Sequence, residues 1–301
     1  MDQDPQVEKR GAAWSSVAAA VLLTTLKIVV GVTTGSLGIL AEAAHSGLDL
    51  IAAVMTLVAV RESGRPADPG HLYGHGKVEN LSAMFETLLL LATCAWIMYG
   101  AVQRLASGSV EMEVTFWSFA VMAISIIVDV SRSRMLYRTA RKYNSQALEA
   151  DALHFSTDIW SSAVVILGLI SVKASELFPA LAWLRYADAV AAILVAAIVV
   201  QVSVKLGFRT VHALLDTAPA GMAQQIVAAV EGLEGVTDCH RVRVRYSGSQ
   251  LFVDAHVLVD GNQTLKQAHD LTDEIEQTIR GLAPNADVTV HPEPTQTPPQ
   301  Q

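Results

Sequence analysis

The chain has 301 residues, of which 51% are hydrophobic and 17% are charged, and it carries a net charge of -8. This composition is too apolar for an ordinary soluble protein, and the acidic residues concentrate after Asp216, so the chain combines a membrane part with a water-soluble part. No basic face stands out, which disfavours a nucleic-acid partner, and Cys94 and Cys239 supply neither a disulfide framework nor a CxxC zinc motif.

Six apolar segments follow a short N-terminal tail, each near the ~20 residues that a helix needs to cross a bilayer. They span approximately residues 12–34, 37–60, 81–105, 114–136, 149–172 and 185–207. Positive charges cluster before the first segment, between the second and third, and from Arg132 at the end of the fourth segment into the loop before the fifth. The opposite loops are poor in positive charge, so we expect a multi-pass membrane protein with both termini in the cytoplasm.

The second and fifth segments carry the same pair of polar residues. His45 and Asp49 lie four residues apart, and so do His154 and Asp158, a spacing that puts each pair on one helix face. A charged group at mid-membrane costs about 2.5–3.5 kcal/mol, so a repeated pair indicates a function rather than hydrogen bonds between helices alone. Two imidazoles and two carboxylates are a tetrahedral ligand set for a divalent transition metal, above all zinc.

The loop between the second and third segments, RPADPGHLYGHGKVEN, contains a second group of potential ligands. Asp68, His71 and His75 are close enough in sequence to share one cation, and the intervening glycines let the backbone fold around it. The alternative is an ordinary solvated loop.

The water-soluble part reads as two helices and three strands in the order α-β-β-α-β, with a Gly-Ser turn joining the first two strands. We therefore expect a small α+β domain with its helices on one face of a three-stranded sheet. The predicted divisions are an N-terminal tail at 1–11, a transmembrane domain at 12–208, a cytoplasmic domain at 209–294 and a disordered tail at 295–301.

The soluble domain holds a third group of potential ligands. These are two histidines on the paired strands, one on the second helix, and a histidine and a carboxylate on the last strand: His240, His256, His269, His291 and Glu293.

These motifs together resemble the cation diffusion facilitator family of metal–proton antiporters. The resemblance rests on GSLGILAEAAHSGLDL, the histidine-containing loop, YNSQALEADALHFSTD, and the tail elements HRVRVR, DAHVLV, QAHDLTDEIE and DVTVHPEP. It implies a homodimer in the bacterial inner membrane, with six transmembrane helices and a cytoplasmic domain of metallochaperone-like fold. It also implies a transporter rather than an enzyme.

The resemblance assigns roles to further residues. It places the two membrane His-Asp pairs in the transport site, the loop residues in a second site, and the soluble-domain ligands in a binuclear site at the dimer interface. Lys77 and Asp216 match a pair that ties the membrane loop to the soluble domain across the dimer, and Leu153 falls at an apolar gate. Two departures stand out: relatives with this loop usually have Asp at the position of His45, and Glu293, preceded by Pro292, replaces the usual Asp.

The sequence thus predicts an exporter of divalent transition metals that exchanges the metal for protons by alternating access. The nitrogen content of the transport site favours zinc, with iron, cadmium and cobalt as further candidates, over manganese and magnesium. Two alternatives stay open. A non-transporting metal sensor would use the soluble domain as its receptor, and an intramembrane zinc hydrolase would need an open ligand position and a general base, although the chain has no HExxH motif.

Overall fold

The computed structural model describes residues 5–35, 37–107, 116–177 and 187–295. The chain divides into two compact units, residues 1–211 and 212–301. Six long helices begin within the described part of the first unit: α1 (Pro5–Thr34), α2 (Leu37–Ser63), α3 (Lys77–Ser107), α4 (Phe116–Tyr143), α5 (Gln146–Leu177) and α6 (Ala187–Leu214). Each of these helices overlaps one of the six predicted apolar segments.

Four stretches of these helices are long and apolar enough to cross a membrane, as judged over the described residues. They are Pro5–Thr34, Ala43–Ser63, Lys77–Gln103 and Ile193–Leu214. Large apolar side chains such as Leu22, Trp96 and Ile198 are exposed on the outside of the unit, which is the arrangement expected of helices that face lipid.

The helices extend beyond the apolar runs at several ends, because hydropathy detects only the part that contacts lipid. Helix α1 begins at Pro5 and α4 continues to Tyr143. Arg132, which the sequence places near the end of the fourth segment, lies inside α4 and is 4% exposed. Asn144, with φ 50°, ends α4 in a left-handed conformation, and the Ser145 backbone N–H closes the helix end on the Ala140 carbonyl at 3.0 Å.

Small residues hold the helices of the first unit together. Helix α1 packs against α2 and α4, while α5 packs against α2, α3 and α4. The buried cluster at these crossings is rich in alanine, with Ala12, Ala13, Ala20, Ala53, Ala140, Ala147 and Ala152. Alanine allows helix backbones to approach closely, so the polar faces of α2 and α5 come within hydrogen-bonding distance of each other.

The second unit confirms the predicted α-β-β-α-β order. Its elements are α7 (Met222–Val230), β1 (Val236–Ser247), β2 (Gln250–Val259), α8 (Leu265–Leu282) and β3 (Ala286–Pro294). The sheet order is β1-β2-β3, with β1 antiparallel and β3 parallel to β2. The predicted disordered tail falls almost wholly on residues 296–301, outside the described residues.

Local sequence signals explain the ends of these elements. Helix α7 is shorter than the amphipathic pattern suggests, because the chain turns before β1 and Gly235 adopts φ 92°. Thr264 starts α8 with a capping box, in which its side chain accepts from the Gln267 backbone N–H and the Gln267 side chain accepts in return.

The core of the second unit lies on one face of the sheet. Ile226 from α7 and Ile275 and Ile279 from α8 are fully buried against Val253 and Val257 of β2. Side chains alternate between the two faces along a strand, so the residues that neighbour these valines in sequence lie on the opposite face of the sheet. That face carries the histidines.

Candidate metal sites

The two His-Asp pairs of α2 and α5 meet inside the helix bundle, as the sequence predicts. His154 Nε2 lies 2.9 Å from Asp49 Oδ1 and 3.9 Å from Asp158 Oδ2. His45 Nε2 lies 3.7 Å from Asp158 Oδ1 and 3.9 Å from Asp49 Oδ1. Each imidazole therefore contacts the carboxylates of both helices, which makes the four side chains one cluster.

Ligand atoms about 2.0–2.2 Å from a tetrahedral zinc ion lie roughly 3.3–3.6 Å from one another. His45, Asp49 and Asp158 each offer a ligand atom within 4.8 Å of the other two, and His154 joins this group through its contact of 2.9 Å with Asp49. Nitrogen and carboxylate oxygen ligands in equal number favour zinc and neighbouring transition metals over magnesium.

Access to the four ligands is unequal. The His45 side chain is 38% exposed and the His154 side chain is 2% exposed. His45 lies nearer the α1–α2 connection, whereas His154 lies on the side of the α2–α3 loop. His45 is therefore the exposed histidine of the cluster and His154 is the buried one.

Buried polar side chains that spacing alone does not reveal surround this cluster. Arg132 of α4 lies 3.5 Å from Asp129 and donates to Ser16 of α1 at 3.0 Å, and the Ser16 hydroxyl donates to Asp151 of α5 at 3.0 Å. Glu86 of α3 is fully buried and accepts a hydrogen bond from Thr56. The sequence marks these residues only by the occurrence of ionisable side chains, such as Asp129 and Arg132, within an apolar run.

The loop between α2 and α3 forms a compact turn around one carboxylate. Asp68 Oδ1 accepts backbone hydrogen bonds from Gly70 at 2.9 Å and His71 at 2.8 Å. His71 Nδ1 lies 3.2 Å and His75 Nε2 lies 3.3 Å from the same carboxylate group. Gly74 adopts φ 72°, which folds the second histidine back. The predicted loop ligands therefore converge.

The electrostatics of this loop favour a charged ligand. Partial desolvation raises the pKa of Asp68, but the backbone hydrogen bonds from His71 and Gly70 outweigh it and leave the pKa below its ordinary value. Asp68 is thus a carboxylate at neutral pH and is available to a cation.

The sheet of the second unit brings three predicted histidines into one row. Strand register places His240 opposite His256 and His256 opposite His291. Glu293 joins them: its carboxylate lies 2.7 Å from His256 Nδ1, 3.5 Å from His240 Nε2 and 3.9 Å from His291 Nε2. Pro292 is accommodated because β3 is an edge strand.

Nearby groups define which atoms of this row are available. The hydrogen bond from His256 lowers the pKa of Glu293, so its carboxylate is charged at neutral pH. Asp238 Oδ2 lies 2.8 Å from His240 Nδ1, a contact that sequence analysis did not identify. Cys239 lies in the hydrophobic core of the second unit, and burial raises the pKa of its thiol to about 11.

The roles predicted for the four remaining residues stay predictions. His269 is exposed on α8 and is not part of the cluster that one protomer assembles from the described residues. Leu153 packs against the small cluster of Ala83, Ala150 and Leu206. Lys77 begins α3, and Asp216 accepts from Arg245 at 3.4 Å within the second unit.

Apolar helices hold two imidazoles and two carboxylates inside their bundle, an arrangement that is expected of an integral membrane protein that handles cations. Comparison with known families agrees. Residues 13–215 match the cation efflux transmembrane domain, and residues 219–295 match the cation efflux protein cytoplasmic domain. The chain therefore belongs to the cation efflux family.

Similar proteins cover nearly the whole chain. The cation-efflux pump FieF of Yersinia enterocolitica is 31% identical over 305 residues, which is 99% of this chain and 97% of the relative. FieF of Shewanella oneidensis is 29% identical over 289 residues, 96% of this chain and 95% of the relative. The solved MamM-CTD 215-293 structure is 27% identical and covers 25% of this chain and 95% of its own, with a TM-score of 0.24.

Proposed function

We propose that the protein exports zinc in exchange for protons, and that it also accepts iron, cadmium and cobalt. The observation that carries this proposal is that the imidazoles of His45 and His154 both contact the carboxylates of Asp49 and Asp158 within the bundle. Family membership supports export of a divalent metal, and the two imidazoles favour zinc among the candidates.

The ligand chemistry couples metal to protons. An imidazole binds a metal only through a deprotonated nitrogen and a carboxylate only as the anion, so metal binding displaces protons. In a form open to the cytoplasm the site takes up the metal. In a form open to the other side, external protons compete for the same four side chains and release it.

The exposure pattern supports an assignment of the described conformation. Because His45 is the accessible ligand and His154 is buried, we assign this conformation to the form open on the side of the α1–α2 connection. With both termini in the cytoplasm of a bacterial inner-membrane protein, that side faces outward. Leu153, one residue before the buried His154, then serves as the apolar gate on the cytoplasmic side.

The other two clusters are regulatory in this proposal. The protein functions as a homodimer, in which zinc at Asp68, His71 and His75 and at the soluble-domain row, with His269 contributing, draws the subunits together. Lys77 and Asp216 transmit this change between the two parts of the dimer. Regulation of this kind requires that the two conformations differ in their affinity for metal.

The test is zinc uptake into inverted vesicles under an imposed pH gradient. We expect Asp49→Ala and Asp158→Ala to abolish uptake while the purified dimer stays folded. Asp254→Ala, an exposed carboxylate of β2 outside the transport site, is the matched control and retains uptake. Zinc binding without flux in the wild type would contradict the exporter and favour a sensor.

A further inference from the structure

Arg132 is the permanent cation of α4 that faces the interior of the bundle. It is 4% exposed, and an arginine guanidinium stays protonated in proteins. A buried permanent charge is costly unless oppositely charged groups surround it, so the position of Arg132 indicates a sustained negative potential in this part of the bundle.

The contacts of Arg132 connect three helices. It forms an ion pair with Asp129 on its own helix, at 3.5 Å, and donates to Ser16 of α1 at 3.0 Å. Its guanidinium also stacks on the ring of Phe155 in α5, 3.5 Å from the ring centre. Phe155 follows the metal ligand His154 directly, and the two rings meet edge to face at 5.5 Å. Arg132 therefore sits beside the turn of α5 that carries a transport ligand.

The charge of Arg132 reaches the transport carboxylates. Asp151, Asp129, Asp49 and Asp158 are the carboxylates that interact electrostatically with Arg132. A second buried cation, Lys27 of α1, also interacts with Asp129 and Asp158. When a divalent cation occupies the ligand cluster, its two positive charges balance Asp49 and Asp158. When the cation leaves, those two carboxylates need another source of positive charge inside a medium of low dielectric constant.

We propose that Arg132 is an internal counter-cation of the transport site, in addition to Lys27, and a determinant of its metal affinity. Its fixed charge stabilises the empty ligand cluster and repels a bound divalent cation. It therefore lowers the affinity of the transport site for the metal, which allows the metal to be released. This inference rests on the proposed function of the His-Asp cluster as the transport site.

A charge-swap experiment at Arg132 and Asp129 separates this role from a structural one. Arg132→Gln removes the charge but keeps a donor for Ser16, and it should tighten zinc binding by on the order of ten- to a hundredfold. Arg132→Lys keeps the charge and should stay near the wild-type affinity. Asp129→Asn removes the neighbouring negative charge and should weaken zinc binding.

The double variant Asp129→Asn with Arg132→Gln guards against failure of the single variants to fold. It removes the pair together, leaves no unpaired charge, and should return zinc affinity to within about threefold of wild type, because the net charge is restored. A structural role for Arg132 predicts something different, since loss of the Phe155 stack would then weaken binding in both Arg132→Gln and Arg132→Lys.

The assay is zinc competition against a fluorescent chelator, with the full chain in detergent. All variants are made in a background chain that carries Asp68→Ala and Glu293→Ala, which weaken the loop and soluble-domain sites so that the transport site dominates the signal. The blank is this background chain with Asp49→Ala added, which disables the transport site as well. If the blank binds zinc as tightly as the background chain, the transport site itself is refuted. If the blank fails to bind and Arg132→Gln binds zinc no more tightly than the background chain, the counter-cation proposal alone is overturned.

Discussion

A buried ion pair at one end of the helix bundle gives the sharpest stability prediction. Lys9 Nζ of α1 lies 2.7 Å from Glu79 Oε1 of α3, and both side chains are 1% exposed. Ser63, the last residue of α2, donates to the same oxygen at 2.8 Å, and Ser145 at the start of α5 hydrogen-bonds the other. Glu79 thus joins the ends of four helices.

Removing one charge of this pair leaves the other buried and unpaired. We expect Lys9→Met to lower the free energy of unfolding by about 3–5 kcal/mol, the range for breaking a buried pair from one side. Glu79→Leu should cost a similar amount, because it strands the Lys9 ammonium. The double variant Lys9→Met with Glu79→Leu should recover most of the loss, since an apolar pair of similar volume needs no compensating charge.

The measurement is reversible unfolding of the full chain by titration from mild detergent into SDS, which gives the free energy of unfolding. The control is Glu8→Gln, which breaks the exposed contact between Glu8 and Lys142 at 2.6 Å. Surface pairs contribute little, so this variant should unfold close to wild type. If Lys9→Met matches Glu8→Gln, or if the double variant loses the sum of the two single losses, the ion pair does not hold the bundle end together.

Three further predictions concern the ligand clusters. Asp238→Ala frees the Nδ1 atom of His240 and should weaken zinc binding at the soluble-domain row about 10- to 100-fold, measured by chelator competition, whereas Asp287→Ala on the same sheet should not. The histidine hydrogen bond that lowers the pKa of Glu293 stabilises the fold above the unfolded-state pKa of about 4.3, and this stabilisation is lost as pH falls through the lower folded-state pKa. Glu293→Gln should therefore lower the metal-free melting temperature at pH 7 and lose this effect once the pH falls below the folded-state pKa; a difference that stays constant as the pH falls would contradict the linkage. His45→Asp should retain transport but admit more cadmium or manganese in a metal-competition flux assay, and unchanged selectivity would count against the proposed role of the imidazole.

The sequence predicts the helices and the ligand pairs because both depend on local patterns. An apolar run long enough to cross a bilayer identifies a spanning helix, and a four-residue spacing puts His45 with Asp49, and His154 with Asp158, on one face. The alternation of β1 and β2 likewise predicts a hairpin with His240 and His256 on its two strands, and the register of the structure pairs them. In each case, the residues that the pattern relates to one another are a few positions apart in sequence or lie on the two strands of one hairpin.

Contacts between distant segments are what the sequence pattern leaves undetermined. Lys9 and Glu79 are 70 residues apart. Both lie outside the predicted apolar segments, so no local pattern in the sequence indicates that they pair. Arg132 lies near the end of the fourth apolar segment, but its hydrogen bond to Ser16, 116 residues away, has no local signal in the sequence. Such groups are placed by the packing of several helices at once.

The location of bound zinc tests the central claim most directly. Crystals of the full chain soaked in zinc, with anomalous scattering recorded on both sides of the zinc absorption edge, should show a peak between α2 and α5. We expect that peak to lie about 2.0–2.2 Å from one nitrogen each of His45 and His154 and one oxygen each of Asp49 and Asp158. Anomalous peaks confined to the loop and soluble-domain clusters, with none between these two helices, would contradict the account.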